Sequence, residues 1–357
     1  MNSLPDAAME QLAGFIAYER LPKIARAVKK HAGWSEAVGE EKNNRFEVRM
    51  WIAVHMDLEA EELVYNALKY SFKDGYRRYD TWDLSRKCCA RLSEVSIGEA
   101  TKTELDGNLT ISGRNVVAED VSRVHSLFAE LPVARGLDNF PTKLAISNVP
   151  KAREKAVAEV VKSLPTVFEY ITVRGLREQP ELLLQLIDRY KSNIYLCRFD
   201  VERCDLVPEI LPVFASMFLL QRRIHFAAYF DMPHKDFYEE HMFRFPGSAV
   251  IEFVEKWRAS NGICDEHRRT VGFWMEAAEW DAITATHERS TTTEKNRAYR
   301  IMHPSRKSSL EVVEDRKGDH CWLIFSIKPT SPKVCARRFQ RSNDYFTFSK
   351  KPKTVNK

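Results

Sequence analysis

The chain has 357 residues, 44% hydrophobic and 29% charged, a balance that excludes disordered and fibrous classes and suits one elongated domain or two to three compact ones. Fifty-five Lys and Arg face 50 Asp and Glu, and the net charge of +5 is too small an excess to read as a nucleic-acid footprint. With 13 glycines there is little material for the Gly-rich phosphate loops of nucleotide enzymes, and seven cysteines scattered without a repeating spacing read as a reduced, intracellular pattern.

The opening MNSLPDAAMEQLAGFIAYERLPK carries acidic residues and lacks a basic segment before an apolar run, so it does not read as a secretory signal. No stretch approaches the roughly 18 uncharged apolar residues of a membrane span, which leaves a cytoplasmic or nuclear location as the expectation. Residues 1–40 are predicted to form two or three short helices. Leu4, Met9, Leu12, Phe15 and Ile16 recur at helical spacing, and Leu21, Ile24, Ala25 and Val28 do so again before Trp34. Pro5 and Pro22 sit where a first helical turn tolerates them. The charged GEEKNNRFEVR is expected to separate this unit from the next, and Trp51–Lys73, with Leu58, Leu63, Val64, Leu68 and Tyr70, is predicted to be mostly helical.

From about residue 92 short strands alternate with helices. SEVSIGE (93–99) and NLTISG (108–113) are predicted strands, and Val117–Leu131 is a predicted helix. KLAIS (143–147), EYITVR (169–174), NIYLCRFD (193–200) and RIHFAAYF (223–230) then read as strands, with helices near 152–163, 179–190 and 207–220 between them. The strand centres step by about 27, 25 and 29 residues, within the range of strand-plus-helix repeats, and such units must stack side by side on a parallel sheet to bury their apolar faces. The expected body is therefore an irregular, leucine-rich-repeat-like α/β array. An ordinary open α/β sheet alternates in the same way. The Asn or Cys ladder of the repeat consensus is absent, although FDVERCDL (199–206) approximates one strand-to-helix turn.

SAVIEFVEKWRA (248–259) is a further predicted helix with Val250, Ile251, Val254 and Trp257 on its apolar side. AYRIMHP (298–304), SLEVVEDR (309–316) and CWLIFSIK (321–328), joined by turn-like segments, predict an antiparallel three-stranded meander. From Pro332 the tail holds eight Lys or Arg against one acid and is expected to be disordered. The expected division is a helical unit (1–40), a helix followed by the α/β repeat body (41–260), a β-rich region (261–331) and a basic tail (332–357).

Chemical signatures are sparse. His234 and His241 are too far apart for one helical turn. Cys264 and His267 have CxxH spacing beside the His320–Cys321 pair, but a structural zinc site normally announces both ligand pairs. Adjacent Cys88 and Cys89 are poorly placed to chelate one ion. GxSxG, GxGxxG and GxxxxGK[ST] are absent, so no catalytic, cofactor or metal residue is assigned. Arg337, Arg338, Arg341, Lys350, Lys351 and Lys353, interleaved with Phe339, Tyr345, Phe346 and Phe348, offer a basic-aromatic tail that reads as solvated, as a localisation signal or as a nucleic-acid contact.

The order LPDAAMEQLAGFI then LPKIARAVKKHAGW resembles the F-box, a helical module of about forty residues that docks onto the small adaptor subunit of cullin-based ubiquitin ligases. Leu4-Pro5 matches the opening Leu-Pro pair. Met9, Leu12 and Ile16 match the apolar face of the first helix, Leu21, Ile24 and Val28 that of the second, and Trp34 the closing tryptophan. YITVRG, IEFVEKWRASNG and YRIMHPSRKSSLEV extend the resemblance to the nematode class of divergent F-box-like proteins. The resemblance implies a non-enzymatic adaptor. Leu4, Pro5, Met9, Leu12, Ile16, Leu21, Ile24 and Val28 would contact the ligase adaptor, and the repeat surface would contact a target protein. A repeat-type scaffold whose N-terminal helices only cap the array, and an enzyme of unrecognised type, are the alternatives.

Overall fold

The computed structural model describes residues 5–14, 16, 20–54, 62–73, 76–82, 89–99, 117–131, 133, 141–219, 225–231, 243–262, 269–285, 289–292 and 296–330. Three helices open the chain: α1 (Asp6–Gly14), α2 (Leu21–Ala27) and α3 (Ala32–Asn44). The Pro5 carbonyl accepts the amides of Ala8 and Met9 at 2.9 and 3.1 Å, and Pro22 occupies the first turn of α2, where its missing amide costs nothing. Met9, Ala13, Leu21, Ala37 and Val38 form a small core of their own, with Ile16, Ile24, Ala25, Val28 and Trp34 packed against it.

The chain then enters a 14-stranded sheet. The GEEKNNRFEVR stretch expected to be a separator is instead the end of α3 and the start of β1 (Phe46–Val54). The helix expected over Trp51–Lys73 is likewise replaced by the end of β1 and by β2 (Glu62–Lys73), which pair antiparallel. The reason is period. Phe46, Val48, Met50, Ile52 and Val54 alternate, as do Leu63, Tyr65 and Ala67, and each set lies in the main core. Next come β3 (Tyr76–Thr81), β4 (Ala90–Glu99), which contains the predicted 93–99 strand, and β5 (Val117–Asp120), which takes the first turn of the helix predicted at Val117–Leu131 and pairs with β2. The predicted strand at 108–113 lies outside the described residues.

The body follows as strand–helix units: α4 (Val121–Glu130), β6 (Lys143–Ser147), α5 (Glu154–Ser163), β7 (Tyr170–Arg174), α6 (Pro180–Tyr190), β8 (Arg198–Glu202), α7 (Ile210–Phe218), β9 (Phe226–Phe230), α8 (Gly247–Ala259), β10 (Arg269–Glu276) and α9 (Ala277–Thr284). The strand predicted from Asn193 begins later, because Asn193 shapes a turn. Its Nδ2 donates to the Phe168 carbonyl at 2.6 Å and its Oδ1 accepts the Tyr195 amide at 2.9 Å. β1, β4, β6, β7, β8, β9 and β10 run parallel in one continuous row. β10 was not anticipated. It joins the row to the C-terminal strands β11 (Arg289–Thr292), β12 (Asn296–Met302), β13 (Ser308–Lys317) and β14 (His320–Pro329), the last three forming the predicted antiparallel meander.

All the body helices bury into one core, and they meet one parity of the strands. Ala156, Val157, Val160 and Val161 on α5 recur as Leu182, Leu183, Leu186 and Ile187 on α6 and as Ile210, Leu211, Phe214 and Ala215 on α7. Facing them are Leu144 and Ile146, Ile171 and Val173, and Phe199 and Val201. Each Val, Leu, Ile or Phe among them contributes about 1.5–3 kcal/mol when taken from water. Phe214 packs against Phe199 and Phe230 at ring separations of 5.1 and 4.8 Å, and Phe245 against Phe230 and Phe273 at 5.4 and 5.5 Å. On α8, Ala249, Val250, Phe253, Val254 and Trp257 are buried, whereas Ile251, expected on the apolar side, is 48% exposed. α9 is tied to β13 by Arg316, whose guanidinium grips Asp281 at 2.6 and 3.1 Å and Glu314 at 2.7 Å. The Tyr299 hydroxyl donates to Glu314 at 3.1 Å.

Candidate functional site

The opposite parity of the strands points away from the helix layer. Across one row stand Trp51, Ser96, Ala145, Thr172, Asp200 and Tyr229, the last four spaced 27, 28 and 29 residues apart in sequence. Small side chains on β4 to β7 separate Trp51 from an aromatic group of Tyr229, Trp274 and Trp322. Trp274 and Trp322 lie 5.4 Å apart, and they close with Tyr229 over Gly272, where an added Cβ would stand 2.7 Å from Trp322 and 2.8 Å from Tyr229. The charges on this face are largely paired. Arg49 meets Glu94 at 3.3 Å, Arg198 meets Asp200 at 2.7 Å, and Arg174 meets Glu202 at 2.6 Å. Burial raises the Asp200 carboxyl above its ordinary range, and Arg198 opposes that shift.

The C-terminal ends of the parallel strands carry a regular device. The residue that follows each of β6, β7, β8 and β9, namely Asn148, Gly175, Arg203 and Asp231, has a left-handed backbone with φ of 50°, 63°, 53° and 55°. Each redirects the chain from strand to loop, and each is stitched to the next unit. The Asn148 amide donates to the Arg174 carbonyl at 2.9 Å, and the Gly175 amide donates to the Glu202 carbonyl at 2.9 Å. The Arg203 amide donates to Asp231 Oδ1 at 2.7 Å, and the Asp231 amide donates to the Val201 carbonyl. Asp231 is buried, its carbonyl accepts Trp274 Nε1 at 2.7 Å, and burial pushes its carboxyl up to about 7 against the pull of the Arg203 amide. Cys204, next along the loop, is also buried, and its thiol is pushed up to about 12. Four unlike residues thus share one backbone conformation at the strand ends. KLAISN, YITVRG, RFDVER and FAAYFD end on four different residue types, so the shared conformation has no linear signal.

This rim encloses an open cavity of about 290 Å³, lined by Glu99, Asn148, Gly175, Arg177 and Arg203, with Val149 and Pro150 as its apolar part. A second cavity, of about 650 Å³, lies on the helix layer between α5 and α6, where Val161, Leu184, Ile187 and Val213 meet.

The residues matched to a docking helix divide between two environments. Leu4 lies outside the described residues. Met9 and Leu21 are consumed by the core of the helical unit, Ile16, Ile24 and Val28 are half-buried against it, and Pro5 and Leu12 face outward, Leu12 with 44% exposure. The unit is fixed to the sheet by charge. Glu41 of α3 bonds Arg91 of β4, and Arg45 donates to the Ile16 carbonyl at 2.6 Å. Burial raises the Glu41 carboxyl, and Arg91 and then Arg45 oppose the rise.

Among the described residues no cluster of three or more His, Cys, Asp or Glu is placed to hold a metal ion. His234, His241, Cys88, Cys264, His267 and the basic-aromatic tail lie outside them. His320 contacts Glu276 and Arg244 at 3.1 and 2.8 Å, whereas its neighbour Cys321 points into the core toward the Met275 carbonyl, so the two do not face one site. No helix among the described residues is long and apolar enough to cross a membrane.

The architecture defines a class: a helical N-terminal unit joined to a two-layer, leucine-rich-repeat-like α/β array that ends in an antiparallel meander. No family model, curated protein or solved structure matches the chain.

Proposed function

We propose that this chain is a non-enzymatic substrate-recognition adaptor of a cullin-based ubiquitin ligase, its N-terminal helices docking the ligase adaptor subunit and its repeat array holding a target protein. The observation that carries the reading is the outward Leu12, an apolar side chain 44% exposed at the edge of a helical face whose neighbouring positions, Met9 and Ala13, are already committed to the core of the unit. Pro5 and the half-buried Ile16, Ile24 and Val28 add apolar surface to the same small unit. A partner covering that surface would remove it from water at roughly 25 cal/mol per Å².

Leu12→Asp tests this without disturbing the core. The purified variant is expected to keep its helical circular dichroism and to lose co-purification with the ligase adaptor subunit. Retained co-purification would refute the assignment. The second reading, a scaffold whose helices merely cap the array, is favoured by the Glu41–Arg91 tie between unit and sheet.

A further inference from the structure

We infer that α2 is an electrostatic docking face, and that the surface of the ligase adaptor subunit that meets it is acidic. The inference rests on the docking proposed for the N-terminal helices and supplies the charge of the partner at that site.

Residues 20–31, RLPKIARAVKKH, hold Arg20, Lys23, Arg26, Lys29 and Lys30 and no acid. The helix sorts them. Leu21, Ile24, Ala25 and Val28 pack into the core of the unit, and at about 100° per residue Lys23 and Arg26 fall on the far side of α2. Arg20 and the Lys29–Lys30 pair continue that surface at its two ends, and all five side chains are exposed. None of the five forms an ion pair among the described residues. Arg26 donates to the Pro22 carbonyl at 3.3 Å, a bond that leaves its charge in place. The acids of the unit lie elsewhere: Asp6 and Glu10 on α1, Glu19 ahead of Arg20 in sequence, and Glu36, Glu40 and Glu41 on α3, with Glu41 taken by Arg91. They nearly balance the unit as a whole, so its field comes from segregation, and at a screening length of about 8 Å an approaching surface responds to the face it meets. Ile24 and Val28, half-buried on the same stretch, set apolar surface beside the cations, and an apolar patch with a charged rim is the make-up of a protein interface. A phosphate backbone offers no counterpart to that apolar surface, and the chain's overall excess of +5 is small for a nucleic-acid binder. A protein surface rich in carboxylates is the partner this face fits. Rim charges of this kind speed encounter and fix orientation, whereas the apolar side chains hold the complex once formed.

The test follows association of the full chain with the purified ligase adaptor subunit by surface plasmon resonance at low and high salt, about 50 and 300 mM sodium chloride. The association rate of wild type is expected to fall at least about fivefold between the two. Lys23→Glu with Arg26→Glu should slow association at least about tenfold at low salt and remove most of the salt dependence, with the larger part of the loss in association rather than dissociation. The equal charge change of Lys256→Glu with Arg258→Glu on α8 should alter association less than about twofold. Lys29→Gln with Lys30→Gln, beyond the end of α2, should slow association severalfold, which keeps the inference falsifiable if the α2 variant misfolds. Binding that Leu12→Asp abolishes but that neither salt nor the α2 substitutions alter overturns the acidic surface and leaves the docking proposal standing. Absence of binding by the folded wild-type chain overturns both. A short duplex DNA titrated by anisotropy at low salt should bind at least about tenfold more weakly than the subunit. Equal or tighter DNA binding that the α2 variant loses would assign the face to nucleic acid and overturn the inference.

Discussion

At the residue scale, the strand-end turns and the aromatic group each depend on a side chain that is missing. Gly175 has a φ of 63°, and a Cβ there would stand 2.2 Å from Asn148 Oδ1, so Gly175→Ala meets both backbone strain and a clash. A loss of about 1–3 kcal/mol is expected in urea unfolding. Asn148→Gly added to it removes the clashing side chain and tolerates the left-handed backbone at 148, so the double variant should keep only the Gly175→Ala backbone cost and fall between wild type and the single one. Asp231 gives a pH signature. Its carboxyl ordinarily titrates at 3.8 and is raised to about 7 in the fold, so between those values the native state holds a proton that the unfolded chain has lost. Stability from this group is therefore full below about pH 4, falls as pH rises through the window, and levels off above about 7. Asp231→Asn removes the titration and keeps an oxygen to accept the Arg203 amide. Between pH 5 and 8 the melting temperature of wild type, measured relative to Asp231→Asn, should drop by roughly 3–6 °C. Parallel curves would show that Asp231 ionises in the fold as it does in water.

At the element scale, the body was largely legible because its signals are local. Pro180 opens α6, and the paired apolar positions of α5, α6 and α7 recur with the repeat, so periodicity alone places these helices within a few residues. KLAIS coincides with β6. The failures have physical causes. In β1 and β2 the apolar residues outnumber a strict alternation, Ala53 and Val64 being buried on the second face, and a mixed pattern of this kind imitates a helical stripe. β10 is buried at seven consecutive positions, so RTVGFWME has no alternation to detect. Only the backbone reveals that Asn148, Gly175, Arg203 and Asp231 are equivalent. The candidate sites divide similarly. The helical unit was visible through its spacing, whereas the arginine-lined rim joins residues from four separate units and has no linear signature. The helical unit also makes a prediction at this scale. It shares no buried residue with the main core, so deletion of residues 1–40 should leave a soluble array with a cooperative thermal transition. Aggregation of the truncated chain would favour the capping role.

At the scale of the whole molecule, one continuous sheet carries both ends of the account. Seven parallel strands separate an antiparallel extension begun by β2 from the β14–β11 meander, and all the body helices lie on one side. A single aromatic-rich core runs from β8 to β14, linking Phe214, Phe230, Phe245, Phe273 and Phe325. The Glu41–Arg91 and Arg45–Ile16 contacts hold the helical unit to the β1–β4 side of that sheet. The most direct test of this account is titration of the purified full chain with the purified ligase adaptor subunit by calorimetry, for wild type and for Leu12→Asp. Saturable one-to-one binding that Leu12→Asp abolishes, in a protein whose melting temperature is unchanged, is the predicted result. Absence of binding by the folded wild-type chain, or binding that Leu12→Asp leaves intact, would contradict it.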